Sequence, residues 1–235
     1  MTSYISRTEA DELCDELIRQ FVGGDTKEAT AVDIDSFVAT FLKCPILYEN
    51  YAEGDPDKIG FTSDGVCPLR VSDGGVVEQR VYPKYTVVLE KYLLRPGEEA
   101  RRRFTLAHEC AHQILFQMEM DDTKERHRKA YAERRAFSLR DLKTKEDWNE
   151  WQANVLGAAL LMPQEEVDRA MWFFGQGRKL TNYEGRFIYA DNLALTSFCD
   201  VLGVSRTAAI IRLRQLGYLE DRSFSEFENP LEVWA

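Results

Sequence analysis

The sequence lacks the cysteine patterns that build disulfide frameworks or cysteine-ligated zinc clusters. Its five cysteines are odd in number, widely scattered and without C-x-x-C spacing: Cys14, Cys44, Cys67, Cys110 and Cys199. This usage is typical of free thiols. We therefore expect neither a disulfide scaffold nor a cysteine metal cluster.

Long apolar runs are also lacking. The first thirty residues contain no basic segment followed by an apolar one, as a secretory leader would. No later stretch approaches the roughly 20 apolar residues that cross a bilayer as a helix. We therefore expect a cytoplasmic protein without a membrane partner.

An excess of positive charge is absent as well. Thirty Lys and Arg stand against 40 Asp and Glu, giving a formal net charge of -10. This balance argues against a surface devoted to nucleic-acid phosphates and suits a basic protein partner better. With 235 residues, 44% of them hydrophobic, the chain can bury a substantial core as one domain, or one domain with a small appendage.

The chain begins with helical patterns and continues with strand-like ones. A first helix is predicted to end at Gly23-Gly24, and Thr8 with Asp11 resembles its capping box. A shorter helix is predicted over about 33–43. Residues 45–92 are β-branched and aromatic runs broken by turn signals, which predicts a small sheet with its clearest strand at Tyr85–Tyr92.

Apolar residues at helical spacing after Pro96-Gly97 predict a buried helix, and this helix carries an HExxH motif from His108 to His112. Histidines four residues apart share one helical face and can hold a single Zn²⁺. Glu109 would lie beside the water bound to the metal and accept its proton. Chance would produce this motif with a probability on the order of one per cent or less.

A catalytic zinc site typically takes three protein ligands and a water, so a third ligand must come from elsewhere. Glu150, on a helix predicted over about 146–162, is the best candidate, although spacing alone leaves an exposed carboxylate equally plausible. Asn154, one turn later, is placed to hydrogen-bond the free nitrogen of a liganding histidine. Gly157 would let the two helices approach closely.

Two other residues could be mistaken for ligands. His127 lies in a charge-rich stretch, about 121–145, that predicts an exposed helix and loops, so a solvated side chain is favoured. Cys110 lies on the helix face away from the histidines, near Leu106 and Ile114, which favours a buried apolar role over a fourth ligand or redox sensor.

The C-terminal segment predicts two short helices between about 192 and 219. Gly203 makes the turn and Ser205 caps the second helix, as in a helix-turn-helix. Residues 191–235 nevertheless contain four arginines against seven acids, a net charge of -3. Because phosphate contacts need positive charge, we favour packing or partner docking over DNA binding.

Two runs resemble the ImmA/IrrE family of metallo-endopeptidases: RFTLAHECAH from Arg103 to His112, and EWQAN from Glu150, continuing to AALLMP at Pro163. The resemblance implies that His108, His112 and Glu150 are zinc ligands and that Glu109 is the general base. It implies an α+β, zincin-like (gluzincin-like) metallopeptidase domain over 1–165 with a C-terminal helix-turn-helix-like module over 166–235. The chain departs from the family in having Cys-Ala inside the motif and a long connection after it.

The family resemblance also implies a regulatory role, the cleavage of a transcriptional repressor. The extended substrate would pair with an edge strand beside the metal, and Tyr85–Tyr92 is the predicted platform. Two alternatives remain open. One is a non-catalytic protein- or DNA-binding module with a structural or vestigial metal site, and the other is an antitoxin-like partner protein that forms a complex without cleavage.

Overall fold

The computed structural model describes residues 5–23, 29–118, 131–132, 144–227 and 233–234. The helices are α1 (Arg7–Val22), α2 (Ile34–Ser36), α3 (Glu99–Met118), α4 (Lys145–Leu161), α5 (Gln164–Phe174), α6 (Tyr189–Leu202) and α7 (Arg206–Gln215). A π-helical turn at Phe37–Phe41 continues α2, and 3-10 turns lie at Lys91–Leu94 and Phe224–Glu226. The predicted stretch of 121–145, with His127, lies almost wholly outside the described residues.

The strands are β1 (Ile46–Glu49), β2 (Lys58–Thr62), β3 (Leu69–Asp73), β4 (Val76–Arg80), β5 (Val87–Glu90), β6 (Tyr131–Ala132), β7 (Leu180–Tyr183), β8 (Phe187–Ile188), β9 (Leu219–Arg222) and β10 (Val233–Trp234). The largest described sheet has the order β1-β5-β2-β6. Pairs β3-β4, β7-β9 and β10-β8 are separate ribbons. The predicted α+β class is confirmed.

Strand β5 corrects the prediction of a substrate platform at Tyr85–Tyr92. It covers only four of those residues and lies inside the sheet, parallel to β1 on one edge and antiparallel to β2 on the other. Val87, Val88 and Leu89 are all completely buried, as expected for a strand covered on both faces. Both edges of β5 are paired, so no peptide can add to it.

The N-terminal helix begins earlier than predicted. Ser6 is the N-cap and forms a capping box with Glu9, whose side chain accepts from the Ser6 N–H. The predicted box of Thr8 and Asp11 is wrong, because Asp11 instead forms an ion pair with Arg212 at 2.7 Å. The predicted end is correct, since Gly23 adopts a left-handed φ of 75° and caps the helix.

Helices α3 and α4 pack together at the centre of the molecule, and α1 packs on the other side of α4. All eleven residues of α3 from Thr105 to Leu115 are buried. Cys110 is one of them, 1% exposed within the main apolar core. Its predicted apolar packing is thereby confirmed, and the polar side chains on the opposite side of the same helix lie in a largely desolvated environment.

The C-terminal helices α6 and α7 form where predicted. They meet at an angle of 103° across a turn in which Gly203 has a φ of 63° and Ser205 accepts a hydrogen bond from the Ala208 N–H. Two arginines attach this turn to the rest of the chain. Arg103 on α3 donates to the carbonyl of Gly203 at 3.0 Å, and the buried Arg212 donates to that of Met162 at 3.1 Å.

These contacts support the packing role that the acidic charge favoured for the C-terminal segment. Arg212 is 2% exposed, so its charge is directed into the protein and is not available to a phosphate at the surface. The helix-turn-helix interpretation and the division at 165/166 remain predictions. Among the described residues, no single helix is long and apolar enough to cross a membrane; α6 and α7 meet that test only jointly, across their bend.

Candidate metal centre

Helix α3 presents both motif histidines toward α4. They lie one turn apart on the same face, and their Nε2 atoms are 3.0 Å from each other. His108 is completely buried and His112 is 5% exposed. The predicted convergence of the two imidazoles is therefore present.

Helix α4 brings the carboxylate of Glu150 to the same point. Its Oε2 lies 3.3 Å from Nε2 of His108, and its Oε1 lies 3.4 Å from Nε2 of His112. The helix is started by a capping box between Thr144 and Asp147, and Glu150 lies three residues after Asp147, in the second turn. Spacing alone did not decide whether the carboxylate of Glu150 is exposed or faces the histidines. The packing of α4 against α3 directs it toward the histidines.

The three side chains fit a metal ion. Their potential ligand atoms all lie within 4.8 Å of one another. Around a tetrahedral ion with bonds of about 2.0–2.1 Å, neighbouring ligand atoms are separated by about 3.3–3.4 Å. The two histidine–carboxylate distances match that separation, and the 3.0 Å between the imidazoles is only slightly shorter. Two imidazoles and one carboxylate also leave a fourth position for water.

Asn154 and Gly157 act as the sequence predicted. The Nδ1 atom of His108 lies 3.1 Å from Oδ1 of Asn154, which accepts the imidazole proton and leaves Nε2 free to bind a metal. A β-carbon on Gly157 would lie 3.1 Å from the backbone nitrogen of His108 and 3.2 Å from its Cα. These contacts are tighter than usual for a β-carbon, so a side chain at this position would require the backbone of α3 to move by a few tenths of an ångström.

Glu109 turns away from α4 toward strand β2. The Thr62 hydroxyl lies 2.6 Å from Oε2 of Glu109 and 3.1 Å from its carbonyl oxygen. The other carboxylate oxygen, Oε1, is buried and has no hydrogen-bond partner among the residues that the structure describes. A β-carbon on Gly60 would lie 2.4 Å from this Oε1, so Gly60 makes the space that the carboxylate occupies.

Comparison with protein families identifies the segment that contains this site. Residues 78–172 match the model of the IrrE N-terminal-like domain, peptidase family M78. This segment belongs to the ImmA/IrrE family of metallopeptidases. The match includes β5, α3 and α4 and nearly all of α5, and its fold is zincin-like. Curated proteins give no match to the chain.

The electrostatics of the IrrE-like domain differ between the two histidines. Burial lowers the pKa of His108 to about 4, so this imidazole is neutral at ordinary pH. Burial also disfavours the charged form of His112, but the hydrogen bond and charge of Glu150 outweigh it and raise that pKa. The pKa of Glu150 is lowered, because both histidines overcome the effect of its burial. Glu150 is therefore ionised, as a metal ligand must be.

Glu109 has the opposite shift. It is 2% exposed, and burial raises the pKa of its carboxyl to about 7. The nearby charge of His112 and the hydrogen bond from Thr62 oppose this rise, whereas the charge of Glu150 adds to it. A carboxyl group with a pKa near neutrality suits a general base, since it can both accept and return a proton.

Sequence reasoning missed the contribution of strand β2. Gly60 and Thr62 lie 47 or more residues before Glu109 in the chain, and no motif marks them. The one available signal was the alternation of the strand, which puts residues 60 and 62 on one face. That pattern does not say which face meets α3.

Proposed function

We propose that this chain is a zinc-dependent metallo-endopeptidase of the IrrE-like type, in which His108, His112 and Glu150 hold the zinc and Glu109 is the general base. The observation that carries the proposal is the convergence of these three ligand atoms beside a buried carboxylate with one unpartnered oxygen. A purely structural site would have no use for such a carboxylate. The arrangement is therefore best explained by hydrolysis.

The residues have distinct roles in this proposal. Bound zinc would supply Lewis acidity and lower the pKa of a water. Glu109 would accept the proton of that water and pass it to the leaving amine. Asn154 holds His108 in the tautomer that has Nε2 free. The buried surroundings strengthen each of these interactions, because the local dielectric constant is low.

The peptide-binding edge in this proposal is β2 rather than β5. The inner edge of β2 is paired with β5, and within the described part of the chain its outer edge pairs with β6 at Lys58 and Gly60. Strand β2 also carries the residues that contact Glu109. An extended substrate adding to the outer edge would lie beside the base, in competition with β6.

The substrate we propose is a transcriptional repressor in the cytoplasm, cleaved as a regulatory step. The support for this is the resemblance to the ImmA/IrrE family, together with a net charge of -10 that suits a basic partner. In this proposal the α6–α7 module, over 166–235, serves packing or docking of the partner, and contact with DNA has no part in it.

Zinc content tests the site directly. Elemental analysis of the zinc-supplemented wild type should give about one zinc per chain, because catalytic sites of this class hold one ion with three protein ligands. Glu150→Ala should lose that zinc or bind it much more weakly. Glu99→Ala, an exposed glutamate on α3, is the matched control and should keep it. No zinc in the wild type would overturn the proposal.

Glu109→Gln separates a protease from a binding module. The variant keeps the shape of the side chain and removes the base, so it should retain zinc and lose cleavage. Both proteins would be incubated with DNA-binding repressors from the same source, and new peptide termini identified by mass spectrometry. Termini produced by the wild type alone support the protease; identical complexes with both proteins, and no cleavage, would favour the non-catalytic alternative.

A further inference from the structure

Strand β2 presents two consecutive same-face residues to the carboxylate of Glu109. Gly60 and Thr62 alternate with Phe61, which is buried in a small separate cluster with Leu69 and Val88. The face that carries residues 60 and 62 is thus turned toward α3. This face contacts both oxygens of the Glu109 carboxylate, since Oε1 lies against Gly60 and Oε2 bonds with Thr62.

The bond from Thr62 is the best defined contact of this carboxylate. Its length of 2.6 Å is in the short range expected for a hydroxyl and a charged carboxylate. The same hydroxyl lies 3.1 Å from the carbonyl oxygen of Glu109. Thr62 is therefore tied to both the main chain and the side chain of the base.

We propose that Thr62 is a positioning residue, which holds Oε2 of Glu109 so that Oε1 is left for the water or substrate at the metal. The inference rests on the proposed function, because it assumes that Glu109 is the base. Oε1 is the oxygen without a partner among the described residues, which is the state expected of an atom reserved for a reactant. Among the described residues, the Thr62 hydroxyl bonds with Glu109 and with none of the three ligands, so Thr62 is not assigned a chemical step.

A hydroxyl suits this task because it can donate to the carboxyl group in either of its charge states. When Glu109 is ionised, Thr62 donates its proton to Oε2. When Glu109 has taken up a proton on Oε1, the Thr62 hydroxyl can still donate to Oε2 or to the Glu109 carbonyl. Both distances are within hydrogen-bond range. The side chain thus stays fixed while the base changes its charge.

The test uses acetohydroxamate, a small zinc chelator whose bound form places a proton donor beside the metal. Its affinity for the zinc-loaded protein would be measured by calorimetry, which needs no substrate. We expect Glu109→Gln to bind it more weakly than the wild type. Thr62→Val keeps the branched shape but removes the hydroxyl, and should weaken binding by roughly tenfold, as for loss of one charge-assisted hydrogen bond. Thr62→Ser should restore most of the affinity.

Thr105→Val is the matched control. Thr105 lies one turn before Glu109, and its hydroxyl donates to the carbonyl of Arg101 at 3.0 Å instead of to Glu109. This variant should bind both zinc and hydroxamate like the wild type, and all variants should retain one zinc. If Thr62→Val bound acetohydroxamate with wild-type affinity while Glu109→Gln bound it more weakly, only the role proposed for Thr62 would be overturned. If the wild type failed to bind zinc or acetohydroxamate, both the proposed function and the role of Thr62 would be overturned.

Discussion

Helix α3 lies between two neighbours that contribute different chemistry to the site. On one side α4 supplies Glu150, Asn154 and Gly157, which contact the two histidines or the backbone beside them. On the other side β2 supplies Gly60 and Thr62, which contact only Glu109 within this site. One flank therefore determines how the metal is held, and the other determines where the base lies.

This division explains why HExxH alternates ligand and base on a single helix. Residues 108 and 112 are separated by one turn and share a face, whereas residue 109 is rotated by about 100° from residue 108. The histidines therefore meet α4 while Glu109 meets the sheet. It follows that the two functions should be separable by mutation: changes on α4 should alter zinc affinity, and changes on β2 should alter the base without removing the metal.

Among residues that are not themselves ligands, the largest change in zinc affinity is expected from Asn154→Ala. Loss of the bond to His108 Nδ1 frees the imidazole to rotate and to adopt the other tautomer. Removal of such a partner typically lowers metal affinity about 10- to 100-fold. Competition with a chromogenic chelator measures it. Asn154→Asp keeps an acceptor oxygen and should stay closer to the wild type; equal affinities for Ala and the wild type would contradict the role of this bond.

A change of pH by one unit is expected to have a smaller effect on the zinc affinity than Asn154→Ala. The pKa of His112 is raised above 6.5 in the metal-free protein, whereas that of His108 is lowered to about 4. Between these two values His112 carries a proton that zinc must displace, so affinity should fall as the pH falls, by about tenfold per unit for one proton. The folding stability that His112 contributes through Glu150 has the opposite direction: it is present below about 6.5 and lost as the pH rises through the raised pKa.

Calorimetry in buffers of different ionisation enthalpy counts the protons released per zinc. We expect one at pH 6, and fewer as the pH rises through the pKa of His112. Release of two protons at pH 6 would mean that a second group loses a proton on zinc binding, either Glu109, whose pKa is about 7, or His108, contrary to the effect of its burial. The flank formed by α4 would then hold a weaker and more acid-sensitive site than the structure indicates.

The same two flanks show what the sequence could predict. The α4 residues follow a helical period, so the sequence alone could place Glu150, Asn154 and Gly157 on one face of a helix. The β2 residues could not be placed in this way, because the pairing of distant segments is set by the sheet and not by local spacing. The same limit explains the error at β5: its sequence predicted a strand, but not that both edges would be paired.

Of these changes, Gly60→Ala should alter the zinc affinity least and the position of the Glu109 carboxylate most. A methyl group there would lie 2.4 Å from Oε1 of Glu109 and 2.8 Å from Cγ2 of Thr105, both closer than atoms can approach. Because Thr105 is buried in α3, we expect the carboxylate to move and to give up its place beside Thr62. Overpacking of this kind typically lowers the free energy of unfolding by about 1–3 kcal/mol.

The variant should therefore keep one zinc per chain, bind acetohydroxamate more weakly and unfold at a lower temperature. Gly54→Ala is the matched control, since a β-carbon at that position meets no atom within 4 Å. If Gly60→Ala lost zinc as completely as Glu150→Ala, displacement of the base would also disrupt the ligands. Strand β2 and helix α4 would then act on one coupled site, because the short connection from Glu109 to His108 would transmit the movement from one flank of α3 to the other.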